Sequence, residues 1–418
     1  KVRYDAIEAR LKNAIKTDNP EAARASIDQL MAPKELRGVK AVLKYALGGE
    51  SAQVFGYAAG YLARLEDPQS RAEVFKTLAA SRNPKTKIIL LAVVRRWPQD
   101  AKAMAALHDR LKDRRKEVVF TALRWIREVK NTKSSVPALI DELERRERQA
   151  RGRVYFDIRK TLRALTGQDL QIAADWRNYW AIQNGAKRKP KRKKAGRTAL
   201  YKPPSFFSVT VDSDRVLFII DISQSMLVKD PVVEEEGDDV EVIGDGTTVV
   251  RLKRKKKPGE KKPTERTRIS AVQEELIRTI QGLAPGIRFN CYSFNHGLQI
   301  FDAGAPGGLL DASSSNKARA VAWVRSLRPN GATRTDIALT QALQIRDVDT
   351  IYLLTDGAPK TAQNQKIPHQ TVFARVNAAN RFRKCRINTI GFYQAGSSMR
   401  DFVTALAKKN DGQCILLK

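Results

Sequence analysis

The sequence predicts a multidomain chain: an N-terminal all-α helical-repeat solenoid followed by a C-terminal doubly wound α/β domain. Three observations predict it. Residues 1–186 carry apolar positions at helical spacing, with a register that recurs about every 33 residues. Residues 205–418 alternate strand and helix patterns, the signature of a mostly parallel sheet with helices on both faces. Between them, residues 187–204 hold Pro190, Gly196, Pro203 and Pro204 among clustered Lys and Arg, the composition of a linker.

In the first part, residues 4–15 and 21–31 are amphipathic, and Pro20 suits the first turn of the second helix. From about Glu50 the repeat is visible. Ala58, Leu91 and Leu123 fall in register, as do Tyr61, Val94 and Ile126, and the second helices end at Leu78, Leu111 and Leu143. Neither helix of such a pair buries its apolar face alone, so neighbours must stack. The segment looks like HEAT-type repeats, with a short period and no strict consensus. Thr166-Gly167-Gln-Asp169 and then Trp176 and Trp180, four apart on one helical face, close the region. Similar endings occur in HEAT-type proteins. Here they are expected to cap the last repeat rather than to offer rings for stacking on bases.

The second part is organised around Val216-Leu-Phe-Ile-Ile-Asp221-Ile-Ser223-Gln-Ser225. Five apolar residues in a row, three of them β-branched, read as a strand buried on both faces. It ends on a carboxylate and two hydroxyls, hard oxygen donors that suit Mg²⁺ or Mn²⁺ rather than zinc. The position is apt, because open α/β sheets bind ligands at the carboxyl ends of their strands. Two later stretches fit the same place: Asn330-Gly-Ala-Thr333-Arg-Thr335-Asp336, a turn entering a helix, and Ile351-Tyr-Leu-Leu-Thr355-Asp356-Gly357, a second buried strand ending on a carboxylate.

Together the three stretches resemble the von Willebrand factor type A (VWA) domain, a Rossmann-like fold, over about residues 205–418. The resemblance implies a metal-ion-dependent adhesion site. Its ligands would be Asp221, Ser223 and Ser225 of the first loop, Thr333 of the second and Asp356 of the T-D-G loop. Thr335 is a second candidate hydroxyl, with Thr333 preferred by its place in the turn. Gln224 stands where the family most often has glycine, at a position that supplies no ligand. The implied ion is Mg²⁺ (or Mn²⁺ or Ca²⁺). Because Ser223, Ser225 and Thr333 are neutral, the ion stays electrophilic toward an acidic group of a partner protein. Two unpaired carboxylates this close would repel until one took up a proton, a conflict that a divalent cation removes.

One feature departs from the family. An insertion at about residues 228–266 follows the first loop. It holds an acidic run from Glu234 to Asp239, a hairpin pattern around Gly244-Asp245-Gly246, and a basic tail. Its arms could pair with each other. Alternatively the hairpin shades the metal loop, or Glu234, Glu235 or Glu236 reaches the cation as an internal ligand. Val228 and Arg266 are expected to lie close together, so that the first helix of the domain can follow.

The net charge is +32, from 77 Lys and Arg against 45 Asp and Glu. A chain this basic adheres to polyanions at low salt, and stretches 187–202 and 251–268 supply much of the excess. A polyanion or nucleic acid is thus the alternative partner. The Ro autoantigen family, which joins a longer helical-repeat region to a VWA domain and binds RNA, is an architectural analogue. Enzymatic signatures are absent: His108, His296 and His369 are scattered, and Cys291 has no evident histidine partner. The expectation is a binding scaffold, not an enzyme. No apolar run is long enough to cross a bilayer. Starting at Lys1, the chain is read as a processed or trimmed form, with a secreted or cell-envelope location expected ahead of a cytoplasmic one. Three cysteines make no disulfide framework, though a Cys385–Cys414 pair is conceivable.

Overall fold

The structure is a computed structural model and describes residues 4–147, 152–186, 202–231, 240–242, 248–250, 265–361, 363 and 365–418. Most of the basic linker lies outside these residues, as do Glu234, Glu235 and Glu236 and the basic tail of the insertion. The chain divides into two compact units. One comprises Lys1–Ala150 with Val154–Arg197, the other Arg151–Arg153 with Thr198–Lys418.

Among the described residues the first unit holds eleven α-helices. They are α1 (Tyr4–Lys16), α2 (Pro20–Met31), α3 (Leu36–Tyr45), α4 (Ala52–Leu62), α5 (Pro68–Ala80), α6 (Pro84–Val94), α7 (Ala101–Asp109), α8 (Lys116–Val129), α9 (Thr132–Glu147), α10 (Arg153–Thr166) and α11 (Ala173–Gln183). Several starts are written in the sequence as a capping residue before proline. Asn19, Asp67 and Asn83 accept hydrogen bonds from the backbone N–H of Ala22, Ser70 and Lys85, and Pro20, Pro68 and Pro84 follow at the first helical position.

The helices pack like on like. α2, α4, α6 and α8 follow one another in one layer, and α3, α5, α7, α9 and α11 in the other. The register residues Ala58, Leu91 and Leu123 are fully buried between them, as are Val94 and Ile126. Polar bonds also step by one pair of helices at a time. Trp97 Nε1 donates to Ala63 O (3.1 Å), Arg110 Nη1 to Leu78 O (3.3 Å), Arg95 Nη1 to Glu128 Oε2 (2.7 Å) and Arg127 Nη1 to Thr161 Oγ1 (3.0 Å). Each spans 32–34 residues, the period read from the apolar register. Trp176 is fully buried, its Nε1 donating to Leu170 O (3.1 Å), and α11 packs on α9 as a terminal cap.

The second unit is α/β. Its elements in order are β1 (Ser205–Phe206), β2 (Val209–Thr210), β3 (Arg215–Asp221), β4 (Lys229–Pro231), β5 (Val240–Val242), β6 (Thr248–Val250), β7 (Glu265–Thr267), α12 (Arg268–Gly282), β8 (Arg288–Phe294), β9 (Leu298–Ile300), β10 (Leu310–Asp311), α13 (Ser314–Ser326), α14 (Thr335–Ala342), β11 (Thr350–Leu354), α15 (His369–Asn380), β12 (Arg386–Phe392), α16 (Ser397–Lys409) and β13 (Cys414–Leu417). The main sheet runs β10-β8-β3-β11-β12-β13-β6-β5, with β9 also on β8. From β8 through β13 to β6 the neighbours are parallel.

The continuous apolar run of β3 works on both faces. Val216, Phe218 and Ile220 join one core with Leu276 and Ile280 of α12 and Val324 of α13. Leu217 and Ile219 join the other with Leu339 of α14, Val372 of α15 and Phe402 of α16. The chain leaves β3 for β8 on one side and returns as β11 on the other, so the strand order reverses between β3 and β11. This is the crevice where open α/β sheets place their ligands.

Two possibilities that the sequence leaves open are not realised. Cys385 and Cys414 are buried thiols, not a disulfide. Cys385 Sγ lies 3.6 Å from Arg386 O, and burial pushes its thiol up to about 12, while Cys414 Sγ lies 3.6 Å from Thr404 Oγ1. The insertion's hairpin, β5 with β6, does not sit over the metal loop. β6 pairs in parallel with β13, four strands away from β3, or about 19 Å at the usual strand spacing. The exposed edge of β13 offers unpaired N–H and C=O groups, and β6 satisfies them. The insertion's ends do meet as expected: β4 and β7 form an antiparallel ladder, with Lys229 opposite Thr267 and Asp230 opposite Arg266.

Joining β4 directly to β7, with residues 232–264 removed, is therefore expected to leave a folded domain whose β13 edge is bare. Light scattering after gel filtration should show it shifting to dimers or larger species. A monomer at all concentrations would mean that β6 is not the strand that protects this edge.

Candidate metal centre

β3 and β11 are paired in parallel with Leu354 opposite Ile220. Both strands therefore run out at one edge, which puts Asp221 beside Thr355 and Asp356. Thr355 Oγ1 donates to Asp221 Oδ2 (2.6 Å), and the backbone N–H of Ser223 donates to Asp221 Oδ1 (2.8 Å). The Ser223 and Ser225 hydroxyls lie 3.1 Å apart, and Ser225 Oγ donates to Asp356 Oδ1 (2.6 Å). Four of the five expected ligands thus form one connected run. Asp221, Ser223 and Asp356 are buried, while Ser225 opens to solvent.

Thr333 reaches the same place from another loop. Lys360 N–H donates to Thr333 O (2.9 Å), and a Cβ on Gly357 would stand only 2.8 Å from Thr333 Oγ1. Gly357 is thus required by close approach, which explains the glycine after Asp356. Thr335, the alternative, begins α14 with a buried hydroxyl that has no hydrogen-bond partner. The loops are stitched together by backbone bonds from Gln224 N–H to Gly331 O (3.1 Å) and Asn330 N–H to Ile222 O (2.8 Å).

Sequence reasoning missed Arg268. Its Nη1 donates to Asp356 Oδ2 at 2.9 Å, with both side chains out of water. The expected conflict between two bare carboxylates is therefore already relieved in part, by a cation from the chain. Arg268 sits at the end of the insertion's basic tail, where nothing in the sequence separates it from its neighbours. His296 was also set aside; its ring packs against Gly331, in the loop that carries Thr333.

The electrostatics follow from burial. Loss of water, and then the charge of Asp356, push the Asp221 carboxyl up to about 7, against the donated bonds of Thr355 and Ser223 that favour its charged form.

No family model matches the chain. A human protein, von Willebrand factor A domain-containing protein 3B, is 26% identical over 149 residues, which are 35% of this chain and 10% of that protein's length. The C-terminal unit resembles a VWA domain. Among solved structures, a von Willebrand factor type A protein from Catenulispora acidiphila shares 19% identity over 50% of this chain and 40% of its own, with a TM-score of 0.33. A point mutant of the PilB minor pilin from Streptococcus sanguinis shares 13% over 48% of this chain and 56% of its own, with a TM-score of 0.31.

Among the described residues no three or more His, Cys, Asp or Glu side chains are grouped to hold a metal. The donor set at the ends of β3 and β11 is of another kind: two carboxylates and several hydroxyls, all oxygen. That chemistry fits a small hard cation. Hydroxyls that donate to a carboxylate keep lone pairs for an ion. Arg268 Nη1 bonds Asp356 Oδ2, while Oδ1 accepts from Ser225 Oγ.

A folded-state pKa above the usual 3.8 of an aspartate means that the metal-free fold favours protonated Asp221. That stability is fully present below about pH 4. It is lost as pH rises toward about 7, where the folded carboxyl ionises too. In EDTA, urea unfolding should show the native chain losing a few kcal/mol across this window relative to Asp221→Asn, which has no such proton. Parallel pH curves for the two proteins would show that Asp221 is not strained by burial.

Proposed function

We propose that the VWA domain captures an acidic group of a protein partner through a divalent cation, Mg²⁺ by preference. Asp221, Ser223, Ser225, Thr333 and Asp356 would hold the ion. The observation that carries this reading is the connected run from Asp221 through Ser223 and Ser225 to Asp356 at the switch point of the sheet. When bound, the ion would supply a Lewis-acidic position for an incoming carboxylate. The chain's own residues do the rest. Thr355 and the Ser223 N–H aim Asp221. Gly357 lets the Thr333 loop close in. Ser225 stands at the solvent side, where a partner arrives.

The rim suits a protein partner. Among the described residues the exposed large hydrophobics are Ile182, Leu227 and Val228, and the last two follow shortly after Ser225. An exposed apolar pair beside a charged site is the composition of a small binding patch. The helical unit, read as HEAT-type repeats, would offer a second interaction surface. A binding role is proposed rather than catalysis, since Asp221 and Asp356 are committed to fixed hydrogen bonds and His369 is packed against Phe373 and Phe402.

Capture from the source cell separates this reading from polyanion binding. Partner recovery should fall to background with EDTA or with Asp221→Ala, while the circular dichroism spectrum of the variant stays native. Retention in EDTA together with loss at high salt would favour nucleic acid or another polyanion, held by the basic segments.

A further inference from the structure

Arg268 is placed at some cost. It opens α12, where a cation meets the positive end of the helix dipole. It is buried, so its guanidinium has given up water. Both costs are offset at Asp356, whose Oδ2 accepts from Nη1 at 2.9 Å, and by the face of Phe392, whose ring centre is 5.0 Å from the guanidinium carbon. The backbone is held as well. Arg268 N–H donates to Val228 O (3.0 Å), directly beside the β4–β7 ladder that closes the insertion. The start of the Arg268 side chain is therefore anchored beside the insertion's stem.

The charges at the site decide what it can hold. With both carboxylates ionised, as they would be around a bound cation, Asp221, Asp356 and Arg268 together carry one net negative charge. A divalent ion would turn that into one net positive charge in a buried place, and a single carboxylate from outside would bring it to neutral. Without Arg268 the loaded site would already be neutral and an added carboxylate would leave it negative.

We propose that Arg268 is a resident cation that weakens the site's hold on the divalent ion alone and makes that hold depend on an incoming carboxylate, so that ion and acidic partner bind as a pair. This rests on the metal-mediated reading above. Arg268 acts in two ways: it occupies one oxygen of Asp356 that an ion could otherwise use, and it repels the ion as a like charge. Both effects shrink once a carboxylate arrives. By linkage, the ion must raise affinity for the carboxylate by the same factor. The residue is a positioning and charge-setting group; it is not itself a ligand.

Isothermal titration on the full chain tests this. Mg²⁺ is titrated alone and then in the presence of an end-capped peptide bearing one aspartate, into the native protein, Arg268→Gln and Arg268→Lys. In the native protein the peptide should tighten Mg²⁺ binding at least about tenfold. Arg268→Gln should bind Mg²⁺ alone at least about tenfold tighter than the native protein, with most of the peptide's effect gone. Arg268→Lys should behave like the native protein, because the charge is kept. Equal Mg²⁺ affinity and equal peptide effect in native and Gln proteins would overturn the inference and leave the metal site standing. Arg268→Lys behaving like Gln would overturn it too, assigning Arg268 a role in shape alone. No Mg²⁺ bound by any of the three would overturn both readings. Should Arg268→Gln fail to fold, the native protein still decides: a peptide that leaves its Mg²⁺ affinity unchanged overturns the pairing.

Discussion

The in-register parallel pairing of β3 with β11 is the constraint on which the rest of the C-terminal unit depends. Parallel strands that share a register also share an edge, so two segments ending on aspartate bring their carboxylates together out of water. Much else at that edge reads as compensation. Thr355 and the Ser223 amide bond Asp221, Ser225 and Arg268 bond Asp356, and the protonated form of Asp221 is favoured. The proposed cation site is read from this pair, since a positive charge placed there would replace several partial compensations at once.

The insertion acquires a meaning from the same edge. It leaves directly after the loop of Ser223 and Ser225 and returns directly into Arg268, so its stem is bonded to both sides of the site. Its outer strands extend the sheet beyond β13. One excursion of the chain thus covers a sheet edge and delivers a cation. The helical unit follows a different logic. Its inter-repeat hydrogen bonds through Trp97, Arg110, Arg95 and Arg127 each reach one repeat, so order propagates by neighbours rather than through one centre.

How much was legible depended on range. Helix starts at Pro20, Pro68 and Pro84 are local chemistry, and so are the apolar registers through Ala58, Leu91 and Leu123. Two loops of the candidate site were legible for a related reason: each is a short motif at the end of a buried strand, and both strands announce themselves by apolar runs, while the third is a glycine turn entering a helix. Trp176 as a buried cap followed from its spacing to Trp180 and from the likeness to HEAT-type endings. What escaped notice was pairing across distance. β6 on β13 joins segments whose hydrophobic patterns say nothing of each other, and the two-residue strands β1, β2 and β10 are too short to show a period.

By itself, then, the sequence determined the two architectures, the period of the helical unit, and the three loops that carry Asp221, Ser223, Ser225, Thr333 and Asp356. These rest on periodicity and on residue types at strand ends, which are properties of neighbours along the chain. Only the tertiary structure decided that Arg268 neutralises one of the two carboxylates, that Cys385 and Cys414 stay thiols, and that Gly357 exists to admit Thr333. An arginine in a basic run is indistinguishable from its neighbours until the fold removes it from water, because only burial makes one charge seek one particular partner.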